Sequence, residues 1–240
     1  MSDVVTRLRA AGSVFAEDEA ALLGGDEALI ARRIAGERLE HVLGWVEFAG
    51  LRLEIDPGVF IPRPQTEALA ARAAALQPSV ALDLFAGCGA IACVVKARNP
   101  GARVAAGELD PVALGCARRN GERHGVEVFE SDLDTGIPAG LERQVDVLTA
   151  NVPYVPTPEL AYVPHDGEPD AALDGGPGGL DWIHRVADIA PGWLKPGGTL
   201  LMELADETNL SDLRIGDSPR FSRFRLGVSP DRVLSGVLLA

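Results

Sequence analysis

Residues 151–154 read Asn-Val-Pro-Tyr and follow the apolar run VDVLTA at 145–150, which has the composition of a buried strand. An Asn at a strand tip, with an aromatic ring three places on, can grip a planar nitrogen. It can equally act as a turn residue before an X-Pro bond. Three other segments bring polar residues to strand ends. VALDLFAGCGAIA (80–92) carries Asp83 within a strand and Gly87 and Gly89 in the turn before a helix, where the lack of side chains lets a ligand approach the backbone. ARVAAGEL (102–109) holds Glu108, 19 residues after Gly89, the spacing at which a carboxylate can accept bonds from ribose hydroxyls. VEVFESD (126–132) ends in Asp132. Each also has an ordinary structural reading: a packed glycine turn, a solvated strand end, an Asp-capped turn. In open parallel sheets ligands bind at the carboxyl ends of strands, so four such tips on one edge point to a nucleoside-type ligand. The hexapeptide GCGAIA also fits the G-x-G-x-x-G/A pattern of dinucleotide binding, which keeps an NAD-dependent dehydrogenase open as a second reading. The tetrapeptide at 151 has no evident use in hydride transfer.

The elements that must position these residues follow from periodicity. Strand-like and helix-like segments alternate from residue 67 onward, and that order implies a parallel sheet with helices on both faces. The helix beginning at Pro111 is delimited by Asp110 as its N-cap and Gly125 at its end. Trp182, Val186, Ile189 and Trp193 recur at helical spacing and are read as core packing. Residues 220–240 predict two strands around Ser-Pro-Asp, an antiparallel hairpin added to the parallel sheet. Upstream, residues 1–44 are rich in Ala, Leu, Glu and Arg and predict short helices broken at Gly24-Gly25. Residues 45–60 predict a hairpin around Ala49-Gly50. The expected organisation is a helical unit at 1–44, a linking hairpin at 45–60, and an α/β unit at 61–240.

The chain has 240 residues, 47% of them hydrophobic, enough apolar surface for a real core. Thirty-five acidic against 22 basic residues give a formal charge of −13, and the basic residues do not cluster, so a nucleic-acid surface is not expected. There is neither an apolar run able to cross a bilayer nor a secretory leader, so a cytoplasmic location is expected and no membrane partner. Cys88, Cys93 and Cys116 form no C-x-x-C pair, which predicts buried reduced thiols and no metal site.

DLFAGCGAIA, GELDPVAL, NVPYVP and WLKPGGTLLMEL resemble the glycine loop, ribose acid, catalytic tetrapeptide and fifth strand of class I S-adenosylmethionine-dependent methyltransferases. HVLGWVEFAGLRLEIDPGVFIPRPQTEAL, EPDAALDGGPGGLD and LRAAGSVFAEDEAALL narrow this to a similarity with bacterial protein-(glutamine-N5) methyltransferases, which modify glutamine side chains in peptide release factors or a ribosomal protein. The resemblance implies a Rossmann-like seven-stranded sheet, S-adenosyl-L-methionine as cofactor with S-adenosyl-L-homocysteine as product, and a glutamine-bearing protein as acceptor. It implies that Asn151, Val152, Pro153 and Tyr154 form the catalytic segment: the Asn151 side-chain oxygen and the residue 152 carbonyl would accept the two amide N–H bonds, and Tyr154 would pack near the methyl group. Cofactor contacts would come from Asp83, Phe85, Ala86, Gly87 and Gly89 on the first loop. Glu108 and Leu109 would contribute at the second strand, Asp132 and Leu133 at the third, and Asn151 at the fourth. Arg63 and Glu67, in IPRPQTE, would shape the pocket floor, with Arg63 at the acceptor; a buried ion pair fixing the loop is the competing role. Val152 stands where the family has proline, Phe85 where its loop has glycine and Gln65 where it has glutamate, and the helical appendage is shorter, all of which suggest a divergent branch. An N-methyltransferase of nucleic-acid bases and a cofactor-binding protein without catalysis are the competing readings.

Overall fold

The computed structural model describes residues 2–164, 167–204 and 221–239. Helices α1 (Ser2–Ala10), α2 (Ala16–Leu23), α3 (Glu27–Ile34) and α4 (Leu39–Leu43) close a small core of Leu8, Ala16, Ala20, Leu23, Ile30 and Val42. Gly24, at φ 61°, ends α2, and the Asp26 carboxylate caps α3 by accepting from the Ala28 and Leu29 N–H groups at 2.9 and 3.3 Å. Strands β1 (Trp45–Phe48) and β2 (Leu51–Glu54) then form the expected hairpin, and its two-residue turn places both Ala49 (φ 49°) and Gly50 (φ 83°) in the left-handed region that such turns require.

The rest is a mixed seven-stranded sheet. Helix α5 (Thr66–Ala75) precedes β3 (Val80–Leu84); α6 (Ala90–Arg98), β4 (Arg103–Glu108), α7 (Pro111–His124), β5 (Glu127–Glu130) and β6 (Val145–Ala150) follow. After them come α8 (Asp181–Trp193), β7 (Leu194–Glu203), β8 (Phe224–Val228) and β9 (Val233–Leu238). The strand order is β5-β4-β3-β6-β7-β9-β8, with β3 to β7 parallel and the closing hairpin antiparallel. Arg220 and Ala240, at the margins of the expected hairpin, lie outside the described residues. The chain leaves β3 in one direction to β4 and β5 and returns on its other side with β6, so the crevice of a reversing sheet opens at the tips of β3 and β6.

Each face of the sheet has its own core. Ala and Val from α6, with Leu69 and Ala73 of α5 and Cys116 of α7, cover one face together with Phe48 and Leu53 of the hairpin. Ile183, Val186, Ala190 and Trp193 of α8 cover the other. The expected capping of α7 is present: Asp110 Oδ1 accepts from the Val112 and Ala113 N–H groups, both at 2.9 Å, and Gly125 ends the helix at φ 82°. The three cysteines are buried thiols; burial pushes Cys93 up to about 12 and Cys116 up to about 11. Among the described residues no helix is long and apolar enough to cross a membrane.

Two expectations change. The third parallel strand stops at Glu130, not Asp132, because the chain folds back there: Asp132 and Thr135 exchange two backbone hydrogen bonds, and Gly136 lies so close to the Glu130 carbonyl that a Cβ would sit 2.2 Å from it. The final parallel strand starts early, at Leu194, running through Lys195-Pro196-Gly197-Gly198 with a register shift opposite β6.

One side chain ties the hairpin to the sheet. Asn120 of α7, 0% exposed, accepts from the Glu54 N–H at 2.9 Å and donates to the carbonyls of Glu54 and Cys88, each at 2.9 Å. Asn120→Ala takes the side-chain partner from the Glu54 N–H and the Cys88 carbonyl, while the Glu54 carbonyl keeps the Cys116 thiol at 2.9 Å, and should lower unfolding free energy by roughly 2–4 kcal/mol. Urea denaturation measures this, and an unchanged midpoint would contradict the clamp.

Candidate active site

A cavity of about 420 Å³ spans the tips of β4, β3 and β6, within the size range of small-molecule sites. Its chemistry changes along the sheet. Glu108, Asp110 and Asp132 line it beside β4 and β5; Phe85, Ala86 and Gly87 line it at β3; Asn151, Val152, Pro153 and Tyr154 line it beyond β6. Thr66, Leu109, Leu133 and Trp182 complete much of the wall.

The first loop shows why glycine is needed there. Gly87 (φ 57°) is left-handed, its N–H donates to Glu108 Oε2 at 2.7 Å, and a Cβ on it would meet nothing within 4 Å, so the backbone faces open space. Gly89 (φ 84°) serves a different purpose: it starts α6 and packs with its would-be Cβ 3.6 Å from the Ala117 Cα of α7, and it does not line the cavity. Phe85 has φ 57°, a conformation that costs a side-chain-bearing residue roughly 1–2 kcal/mol. Its ring is held against Trp182 at a centroid distance of 5.2 Å and an interplanar angle of 68°.

Glu108 shapes the loop and presents a carboxylate to the cavity. Oε2 takes the Gly87 N–H, while Oε1 takes the Leu109 and Asp110 N–H groups at 2.8 and 2.9 Å. Burial raises its pKa, and those three backbone donors pull the other way. A carboxylate has about four acceptor sites, so capacity remains for a ligand hydroxyl.

At the far end, Asn151 Nδ2 makes a long 3.4 Å bond to the hydroxyl oxygen of Thr66, whereas the buried Oδ1 meets no hydrogen-bond partner among the described residues. The backbone that follows is fixed by the segment at 173–179. The Val155 N–H donates to the Leu173 carbonyl and the Gly175 N–H to the Val155 carbonyl, both at 2.8 Å. Asp174 Oδ1 accepts from the Thr157 hydroxyl at 2.6 Å and the Gly176 N–H at 3.0 Å, which holds its pKa below the usual Asp range. A Cβ on Gly175 would lie 2.8 Å from the Tyr154 Cα, and one on Gly179 would lie 2.4 Å from the Tyr154 carbonyl oxygen, so only glycine permits this approach.

Not every residue expected at the site reaches it. Asp83 is 2% exposed and lies beneath the cavity floor, where it accepts from the Thr149 hydroxyl at 2.6 Å; burial pushes its pKa up to about 7. Arg63 is not a lining residue. Its guanidinium pairs with the Glu168 carboxylate at 2.5 Å and lies 4.7 Å from the Phe60 ring centre, while Glu168 also accepts from the Ile61 N–H at 2.8 Å. A loop-fixing ion pair is present, as the competing reading had it, but Arg63 makes it with Glu168 and not with Glu67. Glu67 likewise points away from the cavity, accepting from the Ala49 N–H of the hairpin turn at 3.0 Å. Trp182, assigned to core packing from its spacing, also lines the cavity. Periodicity could not separate the two roles, because a residue at a helix's first turn packs on one side and faces the crevice on the other. Thr66, Glu168, Asn120 and Asp174 sit in or beside stretches visible in the sequence, but which partner each would find was not.

A reversing mixed sheet with this cavity across its strand tips defines a class I methyltransferase. The family profile described as Methyltransferase small domain matches residues 51–162. Among solved structures, a methyltransferase from Pyrococcus furiosus aligns at TM-score 0.57 and 20% identity over 89% of this chain and 98% of its own. A T. thermophilus 16S rRNA N2 G1207 methyltransferase aligns at TM-score 0.56 and 20% identity over 81% and 49%. At such identities the likeness speaks for the fold alone. Curated relatives are more similar: the release factor glutamine methyltransferase of Geobacter sulfurreducens is 41% identical over 76% of this chain and 66% of its own length. That of Mycolicibacterium smegmatis is 39% identical over 78% and 68%. The chain belongs to the release factor glutamine methyltransferase family. It spans about two thirds of the length of the curated relatives it matches.

Asp83 supplies a test of the buried floor. Its native pKa, about 7, lies above the ordinary 3.8, so the folded state holds the proton more tightly than the unfolded state. The native state therefore loses stability as pH rises between those values, and the loss is complete above the upper one. Asp83→Asn keeps the acceptor for Thr149 and removes the titration. Its stability relative to the parent should grow across that window in denaturant titrations, and a pH-independent difference would contradict the assignment.

Proposed function

We propose that this chain transfers a methyl group from S-adenosyl-L-methionine to the side-chain amide nitrogen of a glutamine in a protein, with a peptide release factor as the acceptor and the cytoplasm as its place of action. The observation that carries the reading is that Asn151, whose buried Oδ1 has no hydrogen-bond partner among the described residues, lines one end of a cavity whose other end carries Glu108. An amide nitrogen is a weak nucleophile because its lone pair is delocalised into the carbonyl, so the protein's task is orientation. Asn151 Oδ1 accepts one N–H, the Val152 carbonyl accepts the other, and the lone pair is turned toward the donor. When bound, S-adenosyl-L-methionine supplies a sulfonium methyl: its C–S bond breaks to leave S-adenosyl-L-homocysteine, a C–N bond forms, and one amide proton is lost to solvent.

Several features support a fit to that donor. Glu108 keeps acceptor capacity for the ribose diol; Gly87 presents bare backbone to the methionine portion; Leu109, Leu133 and the exposed Asp132 carboxylate surround the adenine end. Val152 in place of proline gives up a fixed φ but keeps the carbonyl, and its side chain is 2% exposed, so packing restores part of the stiffness. In this reading residues 1–44 form the unit that recognises the acceptor, 45–60 link it, and 61–240 carry the chemistry. The formal charge of −13 supports a protein acceptor over a nucleic acid.

Incubation with methyl-labelled donor and release factor, followed by peptide mass spectrometry, should place one added CH₂ on a glutamine. Methylation of a nucleobase, or of nothing, would refute the reading. Asn151→Ala should lower turnover by about 100-fold or more with donor affinity nearly intact. Glu108→Ala should instead weaken donor binding by calorimetry; unchanged affinity would remove the ribose role.

A further inference from the structure

We infer that Phe85 is a selectivity residue for the charged form of the donor: its ring, backed by Trp182, lies beside the sulfonium and favours S-adenosyl-L-methionine over the neutral thioether product. The inference rests on the function proposed above and adds a role for a residue that replaces a glycine.

Sheet register carries it. Leu84 pairs with Gly107 of β4 and with Ala150 of β6, so the next residue of each strand brings Phe85 level with Glu108 on one side and Asn151 on the other. Two strand spacings, about 10 Å, separate the tips that hold the ribose acid and the acceptor amide. A donor whose ribose is held at Glu108 and whose methyl points to a nitrogen held at Asn151 must pass its sulfur over the middle tip, and there the chain places Phe85.

The side chain is kept at a backbone cost. A positive φ of 57° suits glycine, yet the position carries a ring that is half-buried, lines the cavity and is fixed by a T-shaped contact with Trp182. Trp182 is itself anchored, its Nε1–H donating to the Asp174 carbonyl at 3.1 Å and its face covered by the Arg185 guanidinium at 4.3 Å. An aromatic face attracts a cation within about 6 Å and has no comparable attraction for a neutral sulfur. Methyl transfer removes the positive charge, so the ring holds the donor and releases the product. The carboxylates of Glu108, Asp110 and Asp132 also line the cavity, but they are common to any variant at position 85 and drop out of the comparison.

The test is calorimetric titration of S-adenosyl-L-methionine and S-adenosyl-L-homocysteine into the parent protein and Phe85→Leu, which keeps an apolar side chain and removes the π face. Donor affinity should fall about fivefold or more while product affinity stays within about twofold. Phe85→Tyr should restore the preference. If Phe85→Leu does not fold, fluorinated phenylalanines at position 85 preserve the ring's shape while weakening its quadrupole. Donor affinity should then fall stepwise with fluorination and product affinity should not. Equal weakening of both ligands, or no change in either, overturns the inference while leaving the proposed function standing. A parent protein that binds neither ligand overturns both.

Discussion

A buried amide oxygen left without a hydrogen bond costs on the order of 1–3 kcal/mol, and among the described residues the tip of β6 carries one, on Asn151. The surrounding structure keeps that oxygen where it is. The strand beneath is buried on both faces, the Asn151 amide nitrogen makes a long bond to Thr66, and the backbone beyond is held by close glycine contacts and the two bonds accepted by Asp174 Oδ1. An acceptor amide can supply the missing donor. In the function proposed here, what would be a defect in a purely structural element serves as a preformed subsite, with the orienting cost met during folding rather than at each turnover.

The same logic of shared duty governs the other tips. Glu108 organises the glycine loop through Gly87 and its own following turn before any ligand arrives, which explains why a partly buried carboxylate is tolerated there. Asn120 fixes the carbonyl of the neighbouring Cys88 and the end of β2, coupling the hairpin that follows the helical unit to the loop. Glu168 holds the 61–63 segment from the far side of the sequence through the Ile61 N–H and the Arg63 guanidinium. The glycine loop and the 61–63 segment are therefore braced by residues distant in the chain.

Much of this was legible in the sequence. The alternation of segments, the Asp110 and Gly125 caps and the Ala49-Gly50 turn depend on local chemistry, and the structure follows them closely. The positions of Gly87, Glu108 and Asn151 at one edge follow from the strand count alone. What periodicity could not supply was pairing across the chain. Arg63 met Glu168, 105 residues away, and so left the cavity for a structural role. Asp83 sits one residue short of its strand's end, so the pleat turns it into the core under α6 and the cavity takes Phe85. Trp182 shows the opposite failure, a residue whose helical spacing matched a core stripe and whose place at the first turn also brings it to the crevice.

The most direct measurement is a crystal structure with S-adenosyl-L-homocysteine and a glutamine-containing peptide bound. The account predicts the ribose hydroxyls on Glu108, the sulfur over the tip of β3 beside Phe85, and the glutamine amide donating to Asn151 Oδ1. An adenosyl group lying away from the tips of β4, β3 and β6, or a glutamine amide with no contact to Asn151, would contradict it.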